Sequence, residues 1–178
     1  KQFESVKEQY SFAQLATHDR EATWKAVAEY FPPAASAENL RHSRLAMKGL
    51  ARYYLDNERY SEALPLYEKL ADAEPSEREF RLIGLIGQAV VYDHQGNKPK
   101  VLECLAQVQP YLDSLPPTLG DYLDEKLKTL IQTYAQQGEE DLAVRTAEKL
   151  LANRGAPGDG RFVSGALLNV AHVRFNQG

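Results

Sequence analysis

Cysteine is almost absent. Cys104 is the single one among 178 residues, so the chain forms no internal disulfide and no cysteine-based zinc cluster. Long apolar runs are missing too. A membrane span needs about 18 consecutive apolar residues, and the longest candidate, Leu82 to Tyr92, is interrupted by Gly84, Gly87 and Gln88. Excess positive charge is lacking: 21 lysines and arginines face 25 aspartates and glutamates, for a formal net charge of −4. Duplex-binding modules are usually basic, so nucleic acid is not the expected partner. Valine, isoleucine and threonine never alternate with period two, and no strand is expected.

Recognisable chemistry is scarce as well. His18, His42, His94 and His172 have no second histidine or cysteine at ligand spacing, and neither H-E-x-x-H nor C-x-x-C occurs. The glycine-rich stretch Gly155–Gly160 lacks both a following Lys-Ser/Thr and a preceding strand, so it reads as a loop and not as a phosphate cradle. Glu139-Glu140-Asp141 reads as favourable charge at a helix N-terminus. Cys104 lies among apolar residues, with nothing nearby to lower its pKa, and is expected to be a buried thiol. No catalytic, cofactor-binding or metal-binding residue is expected, and the chain does not read as an enzyme.

What is present is ordinary folded-protein composition, 43% apolar and 26% charged. The first residue is Lys1 and not Met, so the chain reads as a piece of a longer protein from which a signal or anchor could have been removed. Apolar residues recur at helical spacing nearly throughout, as at Leu127, Leu130, Ile131 and Tyr134. Breakers such as Pro32-Pro33, Asp56-Asn57, Gln95-Gly96-Asn97, Pro116-Pro117 and Gln137-Gly138 separate the runs. About nine helices are predicted, over 2–16, 19–31, 38–57, 60–73, 77–95, 98–110, 119–137, 140–153 and 161–177. Pro65 and Pro99 are placed in first turns, where a missing N–H costs nothing, and Asn97 caps the helix that Pro99 opens. Pro110 is expected to end or kink its helix before Tyr111.

A repeat runs through this pattern. Leu50, Ala51 and Tyr54 precede a turn, then come Tyr60, Ala63, Tyr67 and Pro75. Ala89 and Tyr92 precede Gly96, then Val101 and Leu105. Leu130, Ile131 and Tyr134 precede Gly138, then Ala143, Ala147 and Leu150. Tyr54, Tyr92 and Tyr134 stand 38 and 42 residues apart. The pattern resembles the tetratricopeptide repeat, over about residues 40–178, although its period lies between the ~34 residues of that family and the ~40–47 of HEAT repeats. The resemblance implies an all-α fold, a right-handed superhelix of helical hairpins forming one domain over 1–178. Its parts would be a degenerate hairpin at 1–37, repeats at 44–77, 82–115 and 124–157, and a half-repeat or capping helix at 160–178.

The resemblance also implies a function: a non-enzymatic interaction module or scaffold that holds a protein or peptide in a concave groove. The alternative is a regulatory or substrate-docking helical domain of a larger enzyme. The groove would be lined by Arg41, Arg44, Lys48 and Arg52, then Ile86, Val90 and His94, then Lys128 and Gln132, then Leu168, His172 and Phe175. The first four follow one another at three, four and four residues and form one cationic stripe. Such a stripe either pairs with carboxylates or phosphates of a partner or is simply a solvated face. The family's carboxylate clamp is not expected here. Lys48 fits it, but Arg52, Gly87, Glu125 and Thr129 occupy its other places. The helix at 161–177 is apolar around roughly two-thirds of its circumference, far more than a surface helix needs. A further helix or a second copy of the chain is expected to cover it.

Overall fold

The structure, a computed structural model, describes residues 2–112 and, beyond them, Leu130, Ile131, Tyr134 and Gly138. Six α-helices lie within this range: α1 Val6–Leu15, α2 Arg20–Tyr30, α3 Ala37–Asp56, α4 Tyr60–Ala71, α5 Arg78–His94 and α6 Lys98–Leu112. A single 3-10 turn, Pro33–Ala35, precedes α3, and no strand occurs among the described residues. The protein is all-α there. The helices expected at 119–137, 140–153 and 161–177 fall outside the described residues, apart from Leu130, Ile131 and Tyr134, which are helical and buried.

Local chemistry explains where the helices start. Ser5 accepts a hydrogen bond from the Glu8 N–H at 3.3 Å and caps α1. Ser36 does the same for Asn39 at 3.0 Å on α3, and Asn97 for Lys100 at 3.3 Å on α6. The ends are equally specific. The N–H of Arg59 reaches back to the Tyr54 carbonyl at 2.8 Å, across Glu58 in the left-handed region at φ 58°. The N–H of Asn97 reaches the Tyr92 carbonyl at 2.9 Å, across Gly96 at φ 68°. Both closures satisfy carbonyls that the helix end leaves free.

One proline stands elsewhere than expected, and a second does not end its helix. Pro65 is the sixth residue of α4, inside the helix and not in its first turn. Pro110 does not stop α6, which continues to Leu112. Each removes one backbone donor, so the carbonyls of Ser61 and Ala106 lose their partners. Pro65, Pro110, Ser61 and Ala106 are all exposed, so water reaches the freed carbonyls and the helices persist.

The chain forms two compact units, residues 1–84 and 85–178, with the boundary inside α5. In the first unit α3 is central: α1, α2 and α4 all pack against it, and α1 also packs on α2. Its core contains Trp24, Val27, Leu50, Tyr54, Tyr67, Leu70 and Phe80. Close approach is built from small residues. A Cβ on Gly49 would stand 2.7 Å from Cζ2 of Trp24, and one on Gly84 would stand 2.6 Å from the Tyr67 carbonyl oxygen, against the last turn of α4. Ala51 and Ala63 are fully buried. In the second unit the buried set is Leu85, Ile86, Ala89, Val90, Val91, Val101, Cys104, Leu105, Val108, Leu130, Ile131 and Tyr134.

Candidate functional site

The cationic stripe lies on the side of α3 away from Ser43, Ala46, Leu50 and Tyr54, but the buried Leu55 falls within its arc and the buried Ala51 at its edge, so the stripe is partly covered. Its four members have different surroundings. Arg44 is ion-paired with Glu77, and its guanidinium lies 5.8 Å from the centre of the Phe80 ring. Arg52 is exposed and meets Asp56 at 3.5 Å, one turn further along α3. Such exposed pairs contribute little. Arg41 is exposed and makes no ion pair among the described residues. Lys48 is half-buried, and burial pulls its ammonium below the usual lysine range, opposed in part by Glu79 and reinforced by Arg52. Arg44 thus ties α3 to the segment leading into α5, while Arg41 and Lys48 make no ion pair among the described residues.

The rest of the expected groove divides clearly. Ile86 is 0% exposed and Val90 is 5% exposed, so both pack in the core and do not line a groove. Residues 82–91 are buried on nearly every side, because α5 is apolar around most of its circumference, and the repeat register alone does not report that. His94 is exposed at the end of α5. Lys128, Gln132, Leu168, His172 and Phe175 lie outside the described residues.

Cys104 is buried, as expected, and burial raises its pKa to about 11, which leaves it protonated and unreactive. No group of three or more potential metal ligands occurs among the described residues. No described helix is long and apolar enough to cross a membrane.

A charge cluster that the sequence reading did not anticipate joins α2 to the α3–α4 turn. Glu21 accepts from the Tyr54 hydroxyl at 2.9 Å, from Lys25 at 2.6 Å and from Arg59 at 2.7 Å. Arg59 also donates to Glu62 at 2.8 Å and stacks over the Tyr54 ring at 4.4 Å. These donors, Lys25 first, then Arg59 and Tyr54, lower the Glu21 pKa to about 2. Glu21 and Lys25 stand at i,i+4 and Arg59 and Glu62 at i,i+3, spacings short enough to be visible in a sequence. The links across 33 and 38 residues had no sequence signal.

Among the described residues, two of the clefts border the first unit. One of about 450 Å³ borders the start of α2 and is lined by Arg20, Glu21, Lys25 and Tyr53, among others. The other, of about 750 Å³, lies on the outer side of α1, where Phe3 folds back so that its ring stands 5.1 Å from that of Phe12. The donor that fixes this fold is the Phe3 N–H, held by the buried Gln9 side chain at 3.1 Å.

No family model, no curated protein and no solved structure matches the chain.

Proposed function

We propose that the chain is a tetratricopeptide-like array of helical hairpins, a non-enzymatic module that holds a partner protein or peptide against the outer face of α3. One observation carries this reading. Glu58, Gly96 and Gly138, all with positive φ, each stand four residues after Tyr54, Tyr92 and Tyr134. The backbone thus repeats the 38- and 42-residue spacing of the tyrosines. Packing supports the same reading, since α3 touches both helices of the preceding pair as well as its own partner α4. A stacked hairpin buries one side on its neighbours and presents the other as an extended surface suited to recognition.

Arg41 and the half-buried Lys48 give that surface its chemistry. A carboxylate seated over Lys48 would compensate an ammonium that has lost part of its hydration. The test is fluorescence anisotropy with a set of labelled 12-residue peptides, acidic and neutral, at two ionic strengths. Acidic peptides are expected to bind more tightly than neutral ones, to weaken with salt, and to lose binding to an Arg41→Glu/Lys48→Met double variant that circular dichroism shows to be folded. Equal binding of acidic and neutral peptides, or full binding by the double variant, would refute it.

A further inference from the structure

Among the described residues, no other helix packs on the outer face of α1, which only Phe3 of the preceding segment touches through Phe12. The helix buries Val6, Gln9 and Ala13 on one side. The opposite side carries the two exposed large hydrophobic residues of the described structure, Leu15 at 81% and Phe12 at 41% exposed. With Phe3 they border the 750 Å³ cleft, whose other walls include Lys7, Glu8 and Ser11. An exposed apolar group of this kind, rimmed by charge, marks an interaction surface.

The arrangement of charge points to the occupant. At about 100° per residue, Lys7, Ser11, Leu15, Glu8 and Phe12 follow one another in that order around the outer face. Lys7 and Glu8 thus stand about 50° to either side of a middle line that runs between Ser11 and Leu15, with Phe12 beyond Glu8. A partner whose charge is of one sign would leave either Lys7 or Glu8 opposed. A second copy, related by a two-fold axis running along α1, brings Lys7 of each chain to Glu8 of the other, twice by symmetry. In the same arrangement Leu15 meets Leu15 of the second copy and Phe12 covers the flank. Ser11, small and central, allows the two helices to approach.

We infer that α1 is a self-association surface, on which two copies of this chain pair with their α1 helices parallel. The surface is separate from the α3 stripe and does not depend on the peptide-binding reading.

The experiment uses sedimentation equilibrium of the 178-residue chain over a wide concentration range. Mass is expected to rise with concentration from 20.0 kDa towards twice that value. Because Leu15 faces its own counterpart, Leu15→Glu and Leu15→Lys are each expected to be monomeric, while their equimolar mixture recovers the dimer. Leu15 is so exposed that neither substitution should alter the fold, which circular dichroism checks. A wild-type chain that stays monomeric throughout would overturn the inference. So would a dimer that both Leu15 variants preserve, since association would then lie elsewhere, as at 161–177. Monomeric variants that do not recover on mixing would equally overturn it, because another occupant would then own the face.

Discussion

Glu58 and Gly96 occupy the same place, two residues past the end of α3 and of α5, and both are in the left-handed region. For a residue with a Cβ that conformation costs about 1–2 kcal/mol, and glycine escapes it. Glu58→Gly is therefore expected to stabilise the protein by roughly 0.5–1 kcal/mol after the extra entropy of an unfolded glycine is deducted. Thermal melts check this, with Glu58→Ala as the control that should gain nothing. The converse change separates two roles of glycine. A Cβ on Gly96 would meet nothing within 4 Å, so Gly96→Ala should lose only the backbone preference, about 1 kcal/mol. Gly84→Ala would meet the backbone of α4 and should cost more, because neither helix can move aside without opening the contact. Equal losses at the two positions would show that α4 and α5 do not approach as closely as the geometry indicates. The sequence marked Gly96 and Gly138 as turns because they are glycines. It concealed Glu58, whose conformation is imposed by the helix closure around it and not by its own preference.

Among the helices, α3 shows both what periodicity reveals and what it cannot. Its apolar spacing, and the breaks on either side of it, were readable to within a residue or two, as they were for α2, α5 and α6. Ala63, readable as a small residue at a crossing, is fully buried on α4, which packs against α3. Ala63→Leu should overpack it at a cost of about 1–3 kcal/mol, measured by denaturant unfolding. What periodicity could not give is the partner of each charge, because partners are chosen by tertiary approach. Glu21 is the example: its three donors come from α2, α3 and the turn before α4. Its pKa in the folded chain lies at about 2, below the ordinary 4.5. A depressed carboxylate pKa means stabilisation that is fully present above the unfolded value and disappears as pH falls through the folded one. The Tm gap between wild type and Glu21→Gln should therefore be full at pH 7, shrink below about pH 4.5 and close near pH 2. A gap independent of pH over that window would mean that the cluster acts through packing alone.

Across the molecule, the proposed recognition role would set a demand on the stripe opposite to that of stability. Four cations along α3 read from sequence as one surface, yet tertiary structure divides them. Arg44 is committed to Glu77, Arg52 to Asp56, and only Arg41 and Lys48 carry no ion pair among the described residues. That division was illegible beforehand, because Glu77 and Glu79 reach α3 only through the fold of the α4–α5 connection. Lys48 is the informative position. Its ammonium is partly stripped of water without a direct counter-ion, so the folded chain bears a small cost that a neutral side chain of similar length avoids. Lys48→Met should therefore raise Tm by about 1–3 °C, corresponding to less than about 1 kcal/mol. If α3 presents its stripe to an acidic partner, the same substitution should weaken acidic-peptide binding and flatten its dependence on salt. A residue that lowers stability while it raises affinity is the expected signature of a recognition surface. If Lys48→Met lowers Tm and leaves peptide affinity unchanged, Lys48 instead acts with Glu79 to hold α5 against α3, and the stripe is a solvated structural face.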